Sequence, residues 1–391
     1  MNKNKMVSKS GFVSIPVLVS CLFLLCVLCG KISAQDFKTV RDGVEYVEVT
    51  REISGLKVNM NLLRLDLTKV RLDVVHAMDT AIGTEKTSSI ATRHRAFAAI
   101  NGGFFRLDTS IFAGDAAGLL IIDGQIFSDP ANDRIVLGIT NRKSIADIAI
   151  GRSELTHVVR VGKREIDLSG SNREIGKDET VLYTPHFYRT TLTSNPGIEI
   201  IVRKDRVIRV VRDIGSSVIP SDGYVLSASG TKVAELAKNI RLGMLIQTLL
   251  RVRIIRISHE PDPPHIESFE DAVAGVPQLI KDGKIDITWE QEKTTKSFVE
   301  TRHPRTAVAK LKDGKFLMIT VDGRSESSGG ISLYDLGAYL LELGATDAMN
   351  LDGGGSTTMF VGGKVVNHPS DKEGERKVSD AILVTLRGKG H

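Results

Sequence analysis

Apolar and polar residues alternate with a period of two along much of this chain, a pattern that predicts strands with one buried face. Residues 44–50 alternate, and 62–75 do so in two arms about Asp66 and Asp73. Residues 199–211, 245–257, 306–311 and 315–321 also read as strands, the last two joined through Asp313-Gly314. Asp123-Gly124 and Asp282-Gly283 mark hairpin turns after 119–122 and within 279–287. Short apolar runs at 98–100 and 348–351 read as buried strands. A helical period appears three times. Over 87–97 it joins Ile90, Ala91, His94 and Phe97, with Thr87 or Ser88 as N-cap. Over 231–240 it joins Val233, Leu236, Ala237 and Ile240. Over 332–343 it joins Leu333, Leu336, Leu340 and Leu343, with Ser332 as cap, Asp335 in the first turn and Gly344 as the stop. The proline-rich 259–265 segment reads as a loop, and the signal is thin from 151 to 300. Hairpin-joined strands with a few packed helices argue an α+β fold with a mixed, largely antiparallel sheet.

Composition changes the picture at the N-terminus. Lys3, Lys5 and Lys9 precede an apolar run from Phe12 to Leu28, and Ile32-Ser33-Ala34 follows with small residues. That is the plan of a cleavable signal peptide over 1–34, and it predicts a secreted or periplasmic protein with no membrane span after cleavage. An uncleaved membrane anchor is the runner-up. All three cysteines (Cys21, Cys26, Cys29) fall in this segment, so the remainder has no disulfide, thiolate nucleophile or cysteine metal site. Four of the 52 basic residues also fall there and none of the 47 acidic ones, leaving a net charge of +1 on residues 35–391. That balance, with one Trp, gives no footprint for nucleic acid.

Candidate chemistry sits where apolar strands run into glycine. The loops are Asn101-Gly102-Gly103, Asp322-Gly323-Arg324 and Asn350-Leu351-Asp352-Gly353-Gly354-Gly355-Ser356, and Arg305-Thr306 opens a further strand. Polar groups at strand ends converge readily on one site. Bare glycine backbone leaves N–H groups uncovered, so the triple-glycine loop is a candidate anion nest. Arg305 and Arg324 suit phosphate, since guanidinium binds it in bidentate fashion. Alone, each arginine also fits a salt bridge and each Asp-Gly a turn. Transition-metal spacing, a Gly-x-Ser-x-Gly elbow and a Walker loop are all missing from the sequence. The residues call for no cofactor and leave room for a hard divalent cation at Asp352.

In order and spacing, Ile100–Phe105, Arg305-Thr306-Ala307-Val308, Asp322-Gly323-Arg324 and Asn350–Ser356 resemble the phosphodiester glycosidase family. The resemblance runs from about Leu62 to Leu386 and implies one such domain over 35–391, with 151–300 as a family-variable insert. It departs at Ala309, where the family often has glycine, and at 274–279, which is less glycine-rich. The implied reaction cleaves the glycosidic bond of a sugar 1-phosphodiester. Its leaving group is already acidic, so the demand is for charge neutralisation on phosphate and a carboxylate near the sugar. Asp352, Asp322 or Asp115 suits the second task, as nucleophile or as base for water. Arg305, Thr306, Arg324, Gly102, Gly103, Gly353, Gly354, Gly355 and Ser356 suit the first, and Asn101 and Asn350 suit sugar hydroxyls or loop bracing. The rival expectation is a noncatalytic binder of exopolysaccharide or cell-envelope glycan, which needs the arginines but no carboxylate at the anomeric centre. Oligomeric state is not legible.

Overall fold

The computed structural model describes residues 36–195, 197–255 and 269–388. The expected leader over 1–34, its cleavage site and the 259–265 loop lie outside them. The fold is α+β. Strands pair antiparallel throughout the described residues except where Gly170–Ser171 runs parallel to Thr180–Tyr183.

Two sheets carry the candidate site. In an eight-stranded sheet, Arg305–Leu311 lies between Phe316–Val321 and Ala345–Asn350. In a five-stranded sheet, Ala98–Asn101 lies between Met359–Val361 and Asp380–Leu386. The period of two explains how they pack. Leu63, Leu65, Val308, Met318 and Met349 share one core with Leu72, Val74, Ile100, Met359 and Ile382 of the second sheet. The alternate positions Leu62, Ala307, Ala309, Ile319 and Ala348 pack instead with Leu333, Leu336 and Leu340 of the helix Leu333–Glu342. Each valine, leucine, isoleucine or methionine among them contributes roughly 1.5–3 kcal/mol on burial, so a one-residue slip of register would invert both cores. The helix begins as its sequence predicts: Ser332 Oγ accepts the Asp335 N–H at 3.0 Å. It ends before Gly344, whose φ of +89° suits glycine.

Two expectations need correction. The first helix is Thr87–Arg93, with Lys86 at its N-cap and no side-chain cap. Neither Thr87 nor Ser88 caps it. The Ser88 N–H and hydroxyl both donate to Glu375, at 2.7 and 2.5 Å, because a tertiary carboxylate outcompetes the local turn. The expected strand over 199–211 is a hairpin, Ile198–Arg203 with Arg206–Arg212. It turns at Lys204 and Asp205, both with positive φ and without the glycine that usually announces such a turn. That hairpin belongs to a separate five-stranded sheet packed with the helix Lys232–Asn239 around its own core of Ile200, Leu226 and Leu236.

Candidate active site

Antiparallel pairing decides where the strand ends fall. Arg305 stands opposite Val321 and Ala307 opposite Asn350. The start of the middle strand and the ends of its neighbours therefore share one edge. In the second sheet Ile100 stands opposite Met359 and Asn101 opposite Ala381, which brings the end of Ala98–Asn101 beside the starts of its two neighbours. Asn101 joins the two edges. Its Nδ2 donates to Asp352 O at 2.7 Å, and its Oδ1 accepts from the Thr306 hydroxyl at 2.8 Å and the Thr358 N–H at 3.1 Å. Asn101 and Thr306 are both fully buried and braced against each other. Asn350 does similar work: its Nδ2 donates to Val276 O and Leu351 O, and the Val276 N–H returns to Asn350 O.

The glycines are required by close approach more than by an open nest. A Cβ on Gly102 would sit 2.0 Å from Asp380 Oδ1, one on Gly103 2.7 Å from Ala274 O, and one on Gly353 2.7 Å from Pro304 O. One on Gly355 would meet the Arg376–Asp371 ion pair at 2.2 Å. The amides are also occupied. The Gly102 and Gly103 N–H groups donate to Asp380, Gly353 to the Asp352 carboxylate, and Gly354 to Pro304 O. Of these glycine amides, only that of Gly355 has no acceptor among the described residues. The expectation of a multi-donor nest is therefore corrected: bracing within the protein has used the amides of Gly102, Gly103, Gly353 and Gly354.

Asp352 is partly exposed. Burial pushes its carboxyl up to about 6, while the adjacent Ser356 hydroxyl, the Gly353 amide and Arg376 pull it down and Asp380 adds to the rise. At neutral pH such a group is ionised yet basic enough to take a proton. Asp322 is 3% exposed and also raised, chiefly by burial. Its carboxylate accepts the His368 N–H at 3.0 Å and contacts His368 Nδ1 at 3.2 Å. The His368 side chain is itself 82% exposed, so the buried acid holds one ring nitrogen and leaves the other to solvent. Arg324 is exposed at a positive φ of 59°, and its Nη2 reaches to 3.0 Å from where a Gly354 side chain would start. It has no hydrogen-bond or ion-pair partner among the described residues.

Arg305 is 2% exposed, and its Nη2 donates to Phe298 O at 2.7 Å and Thr301 O at 2.8 Å, with Nε near Ile331 O at 3.4 Å. Its guanidinium also lies 4.9 Å from the Phe298 ring centroid. Burial, and then Arg324, lower it to about 10. Most of this cation is spent on the protein, and Nη1 is the nitrogen left without an internal partner among the described residues. Asp115 stands apart: the charges acting on it are Arg173, Arg106, Asp129 and Glu174, not those around Asp352. Burial raises it to about 7, and its Oδ1 is buried without a partner.

Sequence reasoning passed over His368, Asp371, Arg376, Asp380 and Arg134, all of which touch or act on the site. Lys372–Arg376 reads as a solvated charge run, and Arg134 follows Asn132-Asp133 as part of an ordinary turn. A carboxylate facing a glycine from far along the chain leaves no local signal.

A family model for phosphodiester glycosidase matches residues 196–385, just under half of the chain. The N-acetylglucosamine-1-phosphodiester alpha-N-acetylglucosaminidase of Bos taurus is 31% identical over 164 residues, 40% of this chain and 29% of the relative. A prophage-derived protein of Bacillus subtilis, YomE, is 40% identical over 107 residues, 27% of this chain and 16% of that protein. The matched segments thus span less than a third of either relative. A crystal structure of a Synechocystis protein shares the fold, with a TM-score of 0.76 at 22% identity over 91% of this chain and 64% of that one. The loops of Arg305, Asp322 and Asp352 lie inside the matched stretch, and over residues 196–385 the chain is similar to the phosphodiester glycosidase family.

Proposed function

We propose that the protein is an exported hydrolase that cleaves the glycosidic bond of a sugar 1-phosphodiester, with residues 35–391 as the working unit. The observation that carries this reading is Asp352: a carboxylate raised to about 6, held through its backbone by Asn101 and followed by Gly353 and Gly354, against which Arg305 and Arg324 lie. It acts at the anomeric carbon as nucleophile or as base for water. The departing phosphate needs little protonation, so charge neutralisation dominates. Arg324 and the unpartnered Nη1 of Arg305 supply it, with the Gly355 N–H as a further donor. Asn101, Thr306, Asn350 and the remaining glycines hold this geometry, and Asp322 orients His368. Export rests on the basic and apolar leader before Gln35.

The test is incubation of the 35–391 chain with a panel of sugar 1-phosphodiesters, with free sugar and its anomeric configuration read by NMR. Release by the wild type and none by Asp352→Asn is the expected result. Binding without release in both would make the protein a glycan binder instead.

A further inference from the structure

We propose that Arg134 is a phosphate-binding residue of this site, receiving the non-reacting phosphate oxygens of the substrate beside Asp352; this rests on the phosphodiester glycosidase reading above. Arg134 directly precedes the strand Ile135–Asn141. A turn presents it: Asn132 and Asp133 both have positive φ, and the Arg134 N–H closes back on Ala131 O at 3.1 Å. Gly118 lies against its side chain, since a Cβ there would stand in ordinary contact with Arg134 Cδ at 3.5 Å. The guanidinium lies 5.6 Å from the centroid of Phe104. Phe104 packs edge-on against Phe298, with centroids 6.0 Å apart, and Phe298 carries Arg305. Two arginines thus flank one aromatic pair. Phe104 itself leaves the Asn101 loop whose Gly102 carbonyl accepts the Asp352 N–H.

Arg134, like Arg324, has no counter-ion among the described residues. It is partly buried, and no carboxylate pairs with it among the described residues. Nη1 donates to Ala117 O, while Nε is buried with no partner at all. The acids acting on it are Glu292 and Asp352, and burial outweighs both and lowers its pKa. Glu292 is not free to pair, because its oxygens already accept from Ile135 N, Gln278 N and the Thr288 hydroxyl. A desolvated, unpaired guanidinium is costly unless an anion arrives to satisfy it. A phosphate diester supplies two non-bridging oxygens at the spacing a guanidinium fork accepts. With most of the glycine amides committed elsewhere and Nη1 donating to Ala117 O, Nε and Nη2 of Arg134 remain without an internal partner among the described residues.

The experiment compares wild type, Arg134→Gln and Arg134→Lys on a sugar 1-phosphodiester and on an aryl glycoside of the same sugar, with circular dichroism as the folding control. The expected result is a loss of roughly 10- to 100-fold in kcat/KM on the phosphodiester for Arg134→Gln, the scale of a charged hydrogen-bonded contact. Arg134→Lys loses less, and the aryl glycoside changes by under about threefold because it carries no phosphate. An equal loss on both substrates, or none on either, overturns the proposal. Calorimetric titration with phenyl phosphate separates this from the functional reading itself. If the wild type cleaves nothing yet binds phenyl phosphate, and Arg134→Gln does not, Arg134 keeps its role while the hydrolase reading falls. Failure of the wild type to bind phenyl phosphate, or equal binding by both, ends the proposal for Arg134.

Discussion

Replacing Asp352 by Asn separates stability from activity in a way that pH resolves. The Asp352 carboxyl is raised from 3.8 to about 6, so the native state holds a proton that the unfolded chain releases between those values. Stability contributed by this group is therefore greatest at low pH and falls as pH rises toward 6, then stays down. At about 1.4 kcal/mol per pH unit, the penalty above pH 7 amounts to ~3 kcal/mol. The amide of Asn removes the charge, and its Oδ1 still accepts the Gly353 N–H that the carboxylate accepts at 2.9 Å. Asp352→Asn should thus stabilise the protein by ~2–3 kcal/mol at pH 8 and by almost nothing below pH 4, while turnover is lost. Wild-type kcat/KM should rise with pH through about 6 as the carboxylate ionises. Urea denaturation of both proteins from pH 4 to pH 8 measures the difference. A stability difference that is flat across this range would refute the claim that Asp352 is a desolvated carboxylate, and with it the electrostatic argument for its catalytic role.

Arg305→Ala leaves the Phe298 and Thr301 carbonyls without their donor in a buried setting and should cost ~3 kcal/mol in chemical denaturation; a cost below ~1 kcal/mol would recast Arg305 as a ligand contact alone. Asn101→Ala removes three hydrogen bonds at once and should cost ~2–4 kcal/mol, whereas Asn101→Asp, which sets a charge against Asp352 O, should be worse still. The order of their denaturation midpoints checks this. Gly355→Ala drives a methyl into the Arg376–Asp371 pair. It should lower kcat/KM by roughly tenfold or more through displacement of the Asp352 loop, and wild-type kinetics in this variant would mean the pair moves aside freely.

Much of the architecture was legible because its signals are local. The helix Leu333–Glu342 has its period, its serine cap and its glycine stop within a dozen or so residues, and all three act as read. The strand ends could be found for the same reason: an apolar run followed by glycine marks where a chain leaves a sheet. What the glycines are for could not be read, because their partners are remote. Asp380 faces Gly102 and Arg376 faces Gly355, and neither lies near its glycine in a recognisable motif. Arg305 shows the converse. Its residue type suggests a ligand, but the carbonyls that hold it come from Phe298, Thr301 and Ile331 and leave no trace in a pattern of hydrophobic and polar positions. Over 151–300 the period blurs where strands are long or exposed, as in Ala146–Val161, whose central residues carry charge on a partly exposed surface.

The Asn101 amide bears on motion as well as shape. Because it holds Asp352 O, Thr306 and Thr358 together, the Asp352 loop has no way to fray by itself; releasing it means parting two sheets. Its backbone should open only with the whole molecule, so the Thr358 amide belongs among the slowest to exchange with deuterated water. On the proposed reading, substrate entry and product release then cannot rely on movement of the floor beneath the sugar. They fall to the rim, where the exposed 324–327 segment carries Arg324 past Gly354, and turnover would be timed by that short stretch rather than by the rigid joint it overhangs.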